Sequence, residues 1–413
     1  MRILVVGNLY PPIVFGGYEI LCAQVCRELD QRGHQVRVLT SAFRASEVPA
    51  QDGVERGLRL TTDFPLPGQD VGQVDFSLAG LQAVARLNRQ KTLAALKAWP
   101  AQVLFAWCLN RLSLGPLFAA NQLGLPTAYT INDEHPRQFA FTTRPRGPRQ
   151  AARWLAERCW FPLATAARLR PLPAMTIISQ ALKDNLLTLG APVQSALVIH
   201  QGVPLDQFPP AAQPRQAGQP LRLLYAGQLS RVKGVHTILE ALGRLSSAGQ
   251  GDFVMDIAGE GVAQYKAELQ ATVRRLDLAE RVNFLGQVGR EAMPALHQDH
   301  QVLVFASEWA EPFGLTHLEA MASGLAVVST TTGGSAELIR DGQNALAFAA
   351  GDPADLAAKL ARLLADEPLR RRLAQAGRRW VEERHSFSGY VDRLEGWLGQ
   401  VMAAQRGNQH VSD

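Results

Sequence analysis

The stretch from Val302 to Glu337, VLVFASEWAEPFGLTHLEAMASGLAVVSTTTGGSAE, leaves this chain few choices of fold. Val302 to Phe305 are apolar and β-prone in an unbroken run, the pattern of a strand buried on both faces. SEWAEPFG reads as a loop. LTHLEAMAS then carries helical spacing, with Leu315, Leu318 and Met321/Ala322 on one face, and Gly324 closes the helix at its C′ position. Leu325 to Ser329 form the next strand and Thr332-Gly333-Gly334 the next loop. Strand, loop, helix and strand in this order make a βαβ unit, which requires a parallel sheet with a right-handed crossover.

Polar residues gather at one end of that unit. Glu311 lies in the loop at the carboxyl end of a strand, and Glu319 lies one or two turns into the helix. Phe313, Gly314 and Leu315 sit at the helix start, where backbone N–H groups lack intrahelical partners and attract anions. Glycine there allows close approach to the backbone. Two carboxylates flanking an anion-binding turn suit a ligand with phosphate in its middle and hydroxyls on both sides. A capping Glu and a solvated Glu would explain a lone pair equally well. The pair here comes with Pro-Phe-Gly-Leu inside it, Glu-Ala-Met-Ala-Ser-Gly after it and Gly-Gly beyond. That combination resembles the E-x7-E signature of retaining glycosyltransferase family 4, whose members have the GT-B fold.

With 413 residues, nearly half of them hydrophobic, the chain has material for two cores. No apolar run reaches the length of a membrane span. MRILVVG reads as a first strand rather than a signal peptide. Cys22, Cys26, Cys108 and Cys159 are scattered without metal-type pairing; Cys22 and Cys26, at i, i+4 on one helix face, read as buried thiols, and the set fits a reducing, cytoplasmic setting. A net charge of +5 suits an anionic ligand or surface. No zinc-finger spacing, ribonucleoprotein aromatic motif or basic tail points to nucleic acid.

Arg2 to Gly7 is the first strand, and Gly16-Gly17 opens the helix after it. A glycine turn before a helix is either a phosphate-approach site or a tight turn. It is similar to the glycine-rich loop that family 4 enzymes place near donor phosphates and acceptor. Residues 41 to 75 read as irregular, with one short strand near Leu58 to Leu60. A helix from Phe76 to Leu96, a strand at Val103 to Ala106 and a helix from Ser113 to Leu123 follow. The strand Thr127 to Ile131 ends in Asn132-Asp133-Glu134-His135, at the edge where open parallel sheets bind ligands. Family 4 enzymes often have His-Asp here. Asn132 takes no proton, and His135 is either a histidine occupying similar space or an exposed loop residue.

Residues 144 to 170 hold Arg144, Arg146, Arg149, Arg153, Arg158, Arg168 and Arg170 against Glu157, with Trp154, Trp160 and Phe161 between them. Two readings compete: a solvated helix with its aromatics inward, or a basic amphipathic element against a membrane surface or anionic acceptor. Gln201-Gly202-Val203 resembles the family's Asn-Gly-Val turn. The proline-rich PPAAQPRQAGQP, residues 209 to 220, is the expected linker. The second half opens with Leu221 to Ala226 and a loop carrying Arg231 and Lys233 between glycines. The loop is either ordinary basic surface or, by its resemblance to the family's Gly-Arg…Lys-Gly loop, a diphosphate site. Gln228 stands where that motif has its first Arg. In the family, the turn containing Val288 meets the nucleotide base through its backbone.

The expected architecture is therefore α/β, GT-B, with two Rossmann-like domains facing across a cleft. Residues 1–208 would bind acceptor and 221–386 a nucleotide-sugar, and 387–406 would form a terminal helix returning to the first domain. A tail disordered from Gly407 is expected. The resemblance implies retaining transfer of a sugar from a nucleotide-diphosphate donor to an acceptor hydroxyl, in cell-surface glycan or glycolipid synthesis. The acceptor would be a glycan, a lipid or a small molecule. Lys233 and Arg231 would neutralise the leaving diphosphate with the amides of Gly314 and Leu315. Glu311 would orient the sugar and Glu319 would bind the ribose. No cofactor or metal is expected. The setting is cytoplasmic, with peripheral membrane contact through 144–170 as the variant reading. The alternatives are a GT-B sugar-nucleotide epimerase or an inactive nucleotide-sugar-binding subunit.

Overall fold

The computed structural model describes residues 1–62, 77–136, 148–165, 169, 171–210, 218–250 and 252–410. They fall into two units, each with its own parallel sheet.

The first unit takes the described residues of 1–199 together with the chain from Val391 onward. Its elements are β1 (Arg2–Gly7), α1 (Gly17–Gln31), β2 (Gln35–Ser41), β3 (Val54–Leu58), α2 (Leu78–Ala98), β4 (Val103–Cys108), α3 (Gly115–Gln122), β5 (Thr127–Ile131), α4 (Pro148–Trp160), β6 (Ala174–Ile177), α5 (Gln180–Thr188) and β7 (Leu197–Val198). The strands lie in the order β3-β2-β1-β4-β5-β6-β7. The order reverses between β1 and β4, which are hydrogen-bonded neighbours, Ile3 facing Val103 and Val5 facing Phe105. Strands β4 and β5 are buried along their whole length; the unbroken apolar run of β4 is what a sheet covered on both faces requires.

The second unit takes residues 200–390. It contains β8 (Leu221–Ala226), α6 (Val235–Ser247), β9 (Phe253–Ala258), α7 (Ala263–Arg275), β10 (Val282–Gly286), α8 (Met293–Gln298), β11 (Val302–Phe305), α9 (Leu315–Ala322), β12 (Ala326–Ser329), β13 (Leu346–Ala347), α10 (Pro353–Ala365) and α11 (Glu367–Arg384). The sheet order is β10-β9-β8-β11-β12-β13, the arrangement of the first six strands of the first unit without a counterpart of β7. Its core runs from Leu221 and Tyr225 on β8 through Ile238 and Leu242 on α6 to Leu356, Leu360 and Leu373. The apolar stripe of α6 explains its place: Ile238, Leu242 and Leu245 recur at helical spacing and all are buried.

Several sequence expectations shift. The short strand is Val54–Leu58 rather than Leu58 to Leu60, and it pairs in parallel with β2 at the sheet edge. The division between units falls after Ile199, not at 208 or within 209–220. Residues 200–208 join the second unit because their bonds lie there. Val203 N–H donates to His385 O at 2.9 Å, Phe387 N–H donates to Val203 O at 3.0 Å, and Phe208 is buried against the His297 ring. Of the expected linker, 211–217 lie outside the described residues. The last helix, α12 (Phe387–His410), continues past 406 into the stretch expected to be disordered, of which 411–413 lie outside the described residues. From Val391 it belongs to the first unit, where Asp392 and Glu395 bind Arg32 and Gln405 donates to Gly124 O at 2.8 Å.

Of the basic stretch, Arg144, Arg146, Arg168 and Arg170 lie outside the described residues, as does the Arg153 side chain. On α4, Leu155 and Trp160 are exposed, and the Arg158 guanidinium lies 4.0 Å over the Trp154 ring. Among the described residues no helix is long and apolar enough to cross a membrane.

Candidate active site

In an open parallel sheet the loops at the strands' carboxyl ends diverge where the strand order reverses, leaving room for a ligand. In the second unit that point lies between β8 and β11. The loop after β8 carries Lys233 and the loop after β11 carries Glu311, and the two side chains meet, Nζ to Oε1, at 2.6 Å. Both are largely buried, the lysine 19% and the glutamate 10% exposed. The Lys233 ammonium also lies 5.3 Å from the centre of the Trp309 ring.

Local geometry explains how two distant loops hold this pair. Residues Arg231–Lys233 form a single 3-10 turn that Gly234 ends with φ +68°. A Cβ at Gly234 would lie 2.0 Å from Ala306 O, so only glycine lets this turn approach the end of β11. The loops are then stitched together. Glu308 N–H donates to Val232 O at 2.8 Å, and Thr237 Oγ1 donates to Glu308 Oε1 at 3.1 Å. On the other side Gly333 lies beside Glu311 in a parallel bridge, and Gly334 N–H donates to Glu311 O at 2.6 Å. At Gly333, φ is +60° and a Cβ would stand 2.4 Å from Glu311 O.

Phe313 is buried, its ring stacked on His200 at 5.3 Å, and His200 Nε2 meets Glu337 Oε2 at 2.8 Å. Gly314 is the N-cap of α9 and Leu315 its first residue. The amides at this start have no intrahelical acceptor. Beneath them His317 is fully buried, with Nε2 against Ser329 Oγ at 2.7 Å, and burial holds its pKa down at about 4. The Ser329 hydroxyl donates to Thr330 O at 2.6 Å, so the His317 Nε2–H is the donor of the pair.

Glu319 projects from α9 with 7% of its side chain exposed. Burial raises its pKa, and the Arg290 guanidinium, which pairs with it, opposes that rise. Arg290 escaped the sequence reading. It follows Val288, which is half-buried in the loop after β10, and its guanidinium carbon lies 5.1 Å from the Phe208 ring. A cation two residues beyond the turn containing Val288 was the available signal. Arg231 is not drawn into this cluster. It pairs instead with Glu268 on α7, both half-exposed or more, and lies 5.5 Å from the Tyr265 ring. Lys233 with Glu311 and Arg290 with Glu319 are thus two cation–carboxylate couples at α9.

In the first unit, Gly16 caps α1 and Gly17 begins it. The Gly16 N–H donates to Glu19 Oε2 at 2.9 Å. The anion at this helix start is the chain's own buried carboxylate, whose pKa burial raises against backbone hydrogen bonds. The Asn132 amide donates to Trp107 O at 3.0 Å, and Tyr18 OH donates to Asn132 O at 2.8 Å, so Asn132 ties β4, β5 and α1 together. His135 is buried, not exposed. Burial lowers its pKa to about 4, leaving the ring neutral, with Nδ1 at 3.4 Å from Tyr129 OH.

Two family models match the chain. Glycosyltransferase Family 4 covers residues 15–207, and Glycosyl transferases group 1 covers 211–380. A glycogen synthase of Mycobacterium tuberculosis is 31% identical over 391 residues, spanning 92% of this chain and 89% of that protein. Among solved structures, a sucrose-phosphate synthase from Thermosynechococcus elongatus superposes with TM-score 0.72 at 19% identity, covering 97% of this chain and 99% of that one. HepE of Anabaena, in complex with UDP and glucose, superposes with TM-score 0.67 at 19% identity and the same coverage. Both share the GT-B fold. From the sheets, the couples at α9 and these matches together, the chain belongs to the group 1 glycosyl transferases, within glycosyltransferase family 4.

Proposed function

We propose that this glycosyltransferase moves a sugar from a nucleotide-diphosphate donor to an acceptor hydroxyl with retention of anomeric configuration. The observation that carries the reading is the 2.6 Å contact between Lys233 and Glu311 where the strand order reverses. The donor's diphosphate lies between the Lys233 ammonium and the helix-start amides of Gly314 and Leu315, which meet its growing charge as the sugar departs. No protein-held metal takes part. Glu311, freed from Lys233 as the diphosphate claims that cation, accepts hydrogen bonds from sugar hydroxyls. Glu319, held by Arg290, binds the ribose hydroxyls. HepE, solved in complex with UDP and with UDP-glucose, has the same fold and supports a donor of this class.

The bond from the anomeric carbon to the phosphate oxygen breaks, and the acceptor oxygen bonds to that carbon on the same face. The acceptor's proton passes to the departing phosphate oxygen. Lys233 is the main counter-charge; Arg231, engaged by Glu268, assists at the rim. The acceptor is a glycan, a lipid or a small molecule.

The test incubates the protein with nucleotide sugars, with and without acceptor, and reads product configuration by proton NMR. Retained configuration in an acceptor-dependent product supports the proposal. Inversion sinks the retaining mechanism. Conversion of the nucleotide sugar without acceptor identifies an epimerase, and binding without turnover identifies an inactive subunit. Glu311→Gln should mainly cut kcat, and Glu319→Gln should mainly raise the donor KM.

A further inference from the structure

Among the described residues of the second unit, the exposed large apolar side chains are Val232, Val262, Leu285 and Trp309. All four lie at or beyond the carboxyl ends of the strands. Val232 follows β8, Val262 follows β9, Leu285 closes β10 and Trp309 follows β11. Elsewhere among the described residues of this unit the large apolar groups are buried or half-buried. Apolar surface concentrated at the rim of a polar site marks the place where a ligand covers it.

Trp309 stands out within that rim. It is 43% exposed, two residues before Glu311, and its ring faces the Lys233 ammonium at 5.3 Å. Its position is fixed. The single Ser307 hydroxyl proton is shared between Trp309 O and Val232 O, each 3.3 Å from Oγ, and Glu308 N–H donates to Val232 O at 2.8 Å. The neighbouring Val232 is 49% exposed and extends the apolar surface. An indole is a rigid apolar face that loses little conformational freedom on covering. A pyranose ring is its chemical complement: C–H groups on a face and hydroxyls around the edge. A sugar lying on Trp309 would present its edge hydroxyls to Glu311 and Lys233.

Resting on the donor reading above, we propose that Trp309 is a sugar-binding platform and sets affinity for a pyranose ring, of donor or acceptor, beside the Lys233–Glu311 couple. The test compares wild type, Trp309→Ala and Trp309→Tyr, each checked for an unchanged melting temperature without ligand. Calorimetry is run with UDP-glucose against UDP and with ADP-glucose against ADP. Transfer kinetics use maltoheptaose as acceptor.

If the platform holds the donor sugar, Trp309→Ala weakens the nucleotide sugar about tenfold, leaves the matched nucleoside diphosphate unchanged, and Trp309→Tyr restores most of the loss. If it holds the acceptor, donor affinities stay level and the maltoheptaose KM rises about tenfold. Equal weakening of UDP and UDP-glucose overturns the proposal, because the ring then acts only through Lys233. So does a Trp309→Ala variant with every sugar affinity intact. A wild type that binds no nucleotide sugar sinks the donor reading and this inference with it; a wild type that binds while the variant is indifferent sinks the platform alone.

Discussion

Replacing Lys233 with Met removes the ammonium from Glu311 and keeps most of the side chain's bulk. The Glu311 carboxylate is 10% exposed and then lacks the cation at 2.6 Å. Stranding one partner of a fully buried ion pair costs about 3–5 kcal/mol. Here the lysine end is 19% exposed and water reaches the stranded group, so about 2 kcal/mol is expected. The reverse variant, Glu311→Gln, strands an ammonium on a flexible stem that swings toward solvent, at about 1 kcal/mol. The double variant strands neither charge. Its loss should fall short of the sum by about 1–2 kcal/mol, well outside the roughly 0.5 kcal/mol scatter of independent sites. Urea denaturation of the four proteins measures this. Activity separates from stability in the same set. Losing one electrostatic donor at a developing anion lowers kcat by about 10²–10³, and the double variant recovers stability without recovering that rate. Additive stabilities would show that the two side chains are not coupled, and a Lys233→Met enzyme with near-normal kcat would show that the ammonium does not meet the leaving group's charge.

Three further outcomes follow from the same geometry. Arg290→Leu leaves the buried Glu319 carboxylate without its counter-charge; its pKa rises further, and calorimetry should show nucleoside diphosphate affinity falling at least tenfold. Gly333→Ala places a Cβ 2.4 Å from Glu311 O at φ +60°, and should cost about 2–4 kcal/mol by denaturation and disable turnover, whereas Gly342→Ala, with φ +71° and open space, should cost only about 1 kcal/mol. At Asp256, burial pushes the pKa up but hydrogen bonds from His300 and Asn283, with Arg222 nearby, outweigh it and bring the value from 3.8 to about 2. A lowered carboxyl pKa contributes stability above its unfolded value. Wild type should therefore lose about 2 kcal/mol as pH falls from about 5 to about 2, and Asp256→Asn should lack that part of the acid transition.

The central strands β1, β4, β11 and β12 were legible because they are buried along almost their whole length and write themselves as apolar runs. The helix starts were legible through glycine, and the Glu311, Glu319 and Lys233 positions through a local motif. What escaped depends on partners far along the chain. Glu19 looks like any helix-start glutamate until its carboxylate is seen closing on Gly16 N–H. Arg290 and Glu319 are 29 residues apart, and no spacing rule connects them. Arg231 and Lys233 sit in one short turn, yet Glu268 takes one and Glu311 the other. The unit boundary fell earlier than the proline-rich segment because Val203 is hydrogen-bonded to the chain at 385–387. Composition marks where a chain is free to be a linker, whereas bonds of this range decide where the unit ends.

The central claim is that a diphosphate is held between Lys233 and the opening amides of α9. Calorimetric affinities of wild type and Lys233→Ala for UDP and for uridine, or for ADP and adenosine if the adenine series binds tighter, test it directly. Lys233→Ala should cost the diphosphate tenfold or more in affinity and leave the nucleoside unchanged. Diphosphate affinity that survives the substitution, or falls only in step with that of the nucleoside, would contradict it.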